Sequence, residues 1–297
     1  MRIFQVDAFT RTRFTGNPAT VLLDADGLSD ADMQSVAREF PHAETAFVLA
    51  AIGADHDVRL RFFNPRKEAA FVGHATIAAH TVLLALGRRS LGSLRQLSGT
   101  GVINVTAHAS QADGPALIEF RQTAPELDPP LPLKTTLRVA EAMRLEATHL
   151  HEGMPARIAR RGGSRLLVPV ADPLHLEELA PNMETLLTLG KELETDGFFA
   201  FALSREGTAL ATDARMFCPA LGIPEDPVSG NAHAMLAAYL WNLKLFSGIT
   251  ATFNGRQGRH LKRPGIVHVG LEAEQGILLA AHIGGRAVIV SEGTMAL

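Results

Sequence analysis

One cysteine, Cys218, is all that the 297-residue chain contains. That excludes an intrachain disulfide, a cysteine-based metal cluster within one chain and a catalytic thiol pair. An excess of charge of either sign is also missing: 28 Lys and Arg stand against 31 Asp and Glu, a formal net charge of -3. This balance gives no reason to expect nucleic acid or an anionic membrane as a partner. The apolar runs reach only about 14–16 residues, short of the ~20 that a helix needs to cross a bilayer. The first residues, MRIFQVDAF, alternate like a strand and lack the basic region and apolar core of a signal peptide. The twelve histidines show no ligand spacing such as His-x-x-x-His with a nearby acid, so no metal site is expected. What these absences leave is a cytoplasmic enzyme or binding protein, of two domains by its length.

What the chain does have is a repeat. Phe62 to Gly87 reads FFNPRKEAAFVGHATIAAHTVLLALG, and Phe217 to Phe246 reads FCPALGIPEDPVSGNAHAMLAAYLWNLKLF. Each has Phe-x-Pro, a short connection, Gly-polar-Ala and then an apolar helix. The Gly-polar-Ala triplets are Gly73-His74-Ala75 and Gly230-Asn231-Ala232. The first helix, about His74 to Leu86 with Gly87 as its C-cap, holds no Lys, Arg, Asp or Glu. The second, about Asn231 to Leu245, carries only Lys244. A helix that is apolar on every side must be buried on every side. Since the neighbouring segments read as strands, each helix calls for a curled sheet wrapped around it.

The remaining elements support two such halves. Strands are expected at 3–8, 19–23, 44–49, 58–63, 94–97, 101–107 and 115–121, with a helix from the Ser29 N-cap to about Phe40. Residues 123–133, TAPELDPPLPL, hold four prolines and read as an interdomain connection. Beyond it come helices near 137–146, from the Asp172 N-cap to Leu179 and over 182–193. Strands are expected at 157–160, 165–170, 198–203, 209–217, 249–253, 266–271, 277–282 and 286–291. The expected fold class is α/β (α+β): two pseudo-duplicated halves, each a curled, mostly antiparallel or mixed sheet around a central apolar helix. The halves are placed at 1–127, joined by a C-terminal strand from about 286–297, and at 128–285, with the active-site cleft between them.

Several polar residues invite a functional reading. Asn17, held out of the helical region by Pro18, either points into a pocket or serves only as a turn residue. Glu44 shares a strand face with Ala46 and Val48. It is either an exposed strand-end residue or a carboxylate opening into a cleft, where desolvation would raise its pKa. His74 is a cap or a proton-transfer group; Asp226 is a turn residue before Pro227 or a member of the site rim. A helix start offers unpaired N–H groups and partial positive charge to an anion, and Gly73 and Gly230 allow close approach. Neither glycine stretch has the spacing or the lysine of a phosphate loop, so a small carboxylic acid suits better than a nucleotide.

Four ordered motifs resemble the PhzF (phenazine biosynthesis) family, within the diaminopimelate-epimerase-like fold. They are VDAFT with Phe14-x-Gly16-Asn17-Pro18; His42-Ala43-Glu44-Thr45-Ala46-Phe47; Arg61-Phe62-Phe63-x-Pro65 before Gly73-His74-Ala75-Thr76; and Arg215-Met216-Phe217-x-Pro219 before Glu225-Asp226-Pro227-Val228-Ser229-Gly230-Asn231-Ala232. The resemblance implies cofactor-free isomerisation, with Glu44 at the position of the glutamate that moves a proton between carbons. It implies that His74 and Asp226 are polar site residues and that Gly73 and Gly230 are backbone donors, with Asn17, Ser229 and Asn231 beside substrate. PhzF itself has a serine where this chain has Asn231, so the phenazine substrate is not carried over. Epimerase relatives place a cysteine before each glycine of the repeat, where this chain has Val72 and Ser229. A two-thiol epimerase is thereby excluded.

The expectation is a cofactor-independent isomerase without a metal, moving a proton on a small carboxylate-bearing substrate. Glu44 would be its general acid and base, with His74 and Asp226 orienting substrate. The alternative is a small-molecule carboxylate-binding protein on the same scaffold, without turnover. A homodimer is implied by the resemblance alone.

Overall fold

The computed structural model describes residues 1–40, 44–110, 114–246 and 250–296. Pro41, His42 and Ala43, which open the His42-Ala43-Glu44 motif, lie outside the described residues, as do Ile249 of the expected strand at 249–253 and Leu297. The chain divides into two units, Met1–Arg121 with Gly284–Leu297, and Gln122–Ile283.

In the first unit, strand β1 (Arg2–Ala8) pairs antiparallel with β2 (Asn17–Leu22) and with the chain's last strand, Ala287–Thr294. Helix α1 (Asp30–Glu39) follows, started by a capping box in which Ser29 and Asp32 satisfy each other's backbone N–H groups. Strand β3 (Glu44–Leu49) then runs parallel to β2, and β4 (Val58–Phe63) antiparallel to β3. A two-residue strand, β5 (Glu68–Ala69), folds back on β4 before helix α2 (Gly73–Ala85). Strands β6 (Gly92–Ser98), β7 (Gly101–His108) and β8 (Leu117–Thr123) complete the sheet, β6 lying parallel to β4.

Side-chain alternation along β3 decides which layer each residue serves. Phe47 and Leu49 pack with Met33, Val36 and Ala37 of α1. Glu44, Ala46 and Val48 therefore face the other way, toward α2, which packs against β1, β2, β3 and the last strand. On α2, the unbroken run from Ala75 to His80 is buried, as are Val82 and Leu83, as expected of a helix without a polar face.

The second unit repeats the plan. Strand β9 (Glu126–Leu127) lies within the proline-rich stretch read as a linker and pairs with β10 (Arg157–Arg160). Helix α3 spans Leu133–Ala142, four residues earlier than expected, because Pro132 precedes the helix and supplies the one carbonyl that the Thr135 and Thr136 N–H groups both bond. Strand β11 (Ser164–Val170) pairs with β10; helices α4 (Pro173–Glu177) and α5 (Met183–Glu192) lead to β12 (Phe198–Glu206), parallel to β11. Strand β13 (Ala209–Cys218) returns antiparallel, and the short β14 (Ile223–Asp226) folds back on it, as β5 does on β4. Helix α6 (Gly230–Asn242) follows, then β15 (Thr250–Gln257) parallel to β13, β16 (Gly265–Glu274) and β17 (Ile277–Gly285).

Alternation again sorts the layers. Phe198, Ala200 and Ala202 of β12 pack in the cluster formed with α3, α4 and α5. Phe199 and Phe201 turn to α6, edge-to-face on His233 and Tyr239 at ring-centroid separations of 5.2 and 5.5 Å.

Candidate functional site

The first helix start is built by β2, β3 and α2. Glu44 is the first residue of β3 and pairs with Ala19 of β2. Two residues before Ala19, and so on the same face, stands Asn17, 5% exposed. His74 belongs to the first turn of α2, and its Nε2 lies 3.2 Å from Glu44 Oε2. The imidazole is 11% exposed and the Glu44 side chain 25% exposed, so the pair is sheltered yet reachable from solvent. No side chain caps α2: the N-cap position is Val72, and Thr76 N–H makes the first helical bond, to Val72 C=O at 2.9 Å. Gly73 is confined by Phe120, whose Cζ would stand 2.9 Å from an added Cβ.

Electrostatics here correct one expectation. Burial does push the Glu44 carboxyl up and is the largest single influence on it. The charge of His74 and its hydrogen bond, with a further backbone hydrogen bond, act the other way and together prevail. The net shift is downward from the ordinary carboxylate value, not the upward one that desolvation alone predicts. At neutral pH Glu44 is a carboxylate, the form that accepts a proton.

The second helix start has the same backbone plan and different supports. Of the acidic pair Glu225-Asp226, Glu225 is taken up by Arg215 in a two-pronged ion pair, 2.9 Å to Oε1 and 2.8 Å to Oε2, with side chains 9% and 6% exposed. Arg215 also donates to the carbonyls of Leu176 and Leu179, each at 2.9 Å. Asp226, half-buried, ends β14. Ser229 is the N-cap of α6, its Oγ accepting the Ala232 N–H at 3.3 Å. Asn231 Oδ1 accepts from Gln122 Nε2 at 2.6 Å, and its Nδ2 lies 3.5 Å from Arg161 O. The buried Gln257 amide bonds to the Ser229 N–H and the Asp226 carbonyl. Gln122, Arg215 and Gln257 hold the loop, and only Arg215 stood in a recognisable motif. The two glutamines are scattered over 135 positions, with no spacing to link them.

His80 is fully buried between Gln96, 2.9 Å from Nε2, and Arg89. Burial, then the Arg89 charge, lower its pKa to about 3, which keeps the ring neutral. His149, His175 and Glu178 bring donor atoms within 4.8 Å of one another. The two rings are stacked, however, with centroids 4.0 Å apart and planes 13° apart, and His149 Nδ1 accepts the Glu146 N–H at 3.3 Å. Two nearly parallel imidazoles cannot both point an in-plane lone pair at one ion, so this cluster as it stands does not fit a metal.

The family comparison matches the motifs. A family model described as PhzC-PhzF, phenazine biosynthesis-like protein, matches residues 6–293. The chain is 37% identical to the uncharacterized isomerase YddE of Escherichia coli K12, over 97% of this chain and 96% of that one. It is 33% identical to an uncharacterized isomerase of Clostridium acetobutylicum, over 99% and 98%. The crystal structure of a Bacillus anthracis phenazine biosynthesis protein of the PhzF family superposes with a TM-score of 0.89 at 28% identity, covering 100% of this chain and 99% of that one. A hydroxyproline epimerase from Agrobacterium vitis, at 14% identity and a TM-score of 0.62, shares the fold. The chain thus belongs to the PhzC-PhzF family, in which these two curated relatives carry the name isomerase.

Proposed function

We propose that the protein is a cofactor-independent isomerase that moves a proton between two positions of a small carboxylate-bearing substrate. Glu44 is its single acid–base group. The observation that carries this reading is the 3.2 Å Glu44–His74 pair at the start of a charge-free helix. The Glu44 carboxylate removes a proton from one carbon, His74 holds the resulting acid in place, and the same carboxyl returns the proton to another carbon on that face. No second base is required, which agrees with Val72 and Ser229 at the positions where two-thiol relatives carry cysteines. Each helix start, at Gly73 in the first unit and at Gly230–Asn231 in the second, offers backbone N–H groups to an acidic group, with Asn17 in the first unit and Asp226 in the second as orienting side chains. A carboxylate within reach of His74, rather than turned wholly to solvent, favours turnover over a protein that only binds.

The test follows solvent deuterium into small cyclic and aromatic carboxylic acids, comparing wild type with Glu44→Gln. Incorporation that depends on Glu44 supports the reading. Incorporation that is undiminished in Glu44→Gln would overturn it.

A further inference from the structure

We propose that Gln257 is the positioning residue of the second helix start, latching the Asp226–Ser229 turn so that α6 presents two adjacent N–H groups to an acid. The proposal rests on the carboxylate-binding role just given to that helix start. Gln257 ends β15 and is only 4% exposed. Its Oε1 accepts the Ser229 N–H at 3.0 Å, and its Nε2 donates to the Asp226 carbonyl at 2.6 Å. One planar amide thus closes both ends of a turn whose middle is Pro227-Val228. The partners dictate its orientation, because flipping the amide would set donor against donor and acceptor against acceptor. Gly258 adds a backbone contact: with φ at +87°, it passes so close beneath the loop that an added Cβ would lie 2.8 Å from the Pro227 carbonyl oxygen.

The latch decides which donors remain at the helix start. His233 N–H makes the first helical bond, to Ser229 C=O at 3.2 Å, so the three preceding N–H groups have no acceptor within the helix. Ser229 Oγ takes the third of these, Ala232 N–H, while Gln257 takes that of Ser229 itself. Gly230 and Asn231 are left to face an anion, side by side. Releasing the turn would free the Ser229 N–H to rotate and would spoil the alignment of this pair. Replacing the amide by an apolar side chain also leaves the buried Ser229 donor unsatisfied. A glutamate at 257 keeps the acceptor for Ser229 but places a carboxylate oxygen against the Asp226 carbonyl.

Amide hydrogen exchange on the full-length, isotope-labelled protein tests the latch without any ligand. Gln257→Leu is expected to speed Ser229 exchange by about tenfold or more. Protection along β13 should stay near wild type, and Gln257→Glu should restore Ser229 protection. In parallel, anthranilate serves as the carboxylate probe, followed at the Gly230 and Asn231 amides. Gln257→Leu should weaken its binding by about tenfold, the counterpart of the hydrogen bond lost. Ser229 exchange unchanged by Gln257→Leu would overturn the proposal, and so would a loss of protection throughout the second unit. If anthranilate leaves the wild-type Gly230 and Asn231 amides unmoved, the carboxylate role of the helix start fails, and the Ser229 exchange still judges Gln257.

Discussion

The two helix starts share a backbone plan and differ in what is left unsettled. At α2 no side chain caps the helix, and the ionisable groups at its mouth, Glu44 and His74, are paired with each other. At α6 most polar groups are committed to structure: Glu225 to Arg215, Ser229 Oγ to Ala232, Asn231 to Gln122, and the turn itself to Gln257. A duplicated fold therefore does not mean duplicated chemistry. One unit keeps a carboxylate on which burial and a neighbouring imidazole act in opposite directions. The other has tied Glu225 and its cap into hydrogen-bonded structure. The difference fits a one-base isomerase better than the symmetrical pair of bases that a repeat first suggests.

Five substitutions test that contrast. The largest effect is expected from Glu44→Gln, which keeps the shape and removes the base. Solvent-deuterium incorporation should fall by about 10²–10⁴-fold, the usual span for one acid–base group. The comparable event in the second unit should hit stability instead. Arg215→Met leaves the Glu225 carboxylate buried without its partner, and denaturant unfolding should show a loss of about 3–5 kcal/mol.

His74→Asn comes next. With the imidazole gone, burial is left as the strongest influence on Glu44, so its pKa should rise. The acid limb of the pH–rate profile, set in wild type by a Glu44 carboxyl held below its ordinary value, should move upward. The sign for stability follows from the same shift. Because the folded Glu44 pKa is depressed, the pair's contribution is present above the unfolded carboxylate value near 4.5 and is lost as pH falls through the folded one. His74→Asn should flatten that part of the stability–pH curve.

The smallest effects are expected at the cap positions. Ser229→Ala should cost about 1 kcal/mol, as N-cap losses do, read from thermal or denaturant unfolding. Val72→Ser should gain a few tenths of a kcal/mol or more by capping α2. It should also lower turnover, because the new hydroxyl competes for the N–H groups offered to substrate. If both cap variants change stability and neither changes activity, the contrast between an open and a closed helix start is wrong.

Much of the architecture was legible because its signals are local. A helix with no charged face demands enclosure, and alternation in β3 put Glu44 on the side of Ala46 and Val48 before any contact was known. Ser29 and Asp172 announced their helices by capping chemistry, and both serve as caps. The short strands were not legible. β5 and β9 have two residues each, too few for a period of two to emerge, and β9 lies among prolines that read as a linker. The four-residue β14 was hidden in a stretch that looked like a turn. At the site, Glu44 and His74 could be picked out as candidates, but their pairing joins residues thirty positions apart and leaves no periodic trace.

The sequence by itself determined the duplicated plan, the two enclosed helices and the exclusion of a two-thiol mechanism. Each follows from residue type and near-neighbour spacing, which act through backbone geometry and the removal of apolar surface from water. Only the tertiary structure decided the ionisation of Glu44, the capture of Glu225 by Arg215 and the latch made by Gln257. Those depend on distances of about 3 Å between groups remote in the chain, over which a charge or a hydrogen bond can reverse what burial alone would do. Desolvation favours a raised carboxyl at position 44; His74, brought beside it by the fold, and a backbone hydrogen bond together reverse the sign.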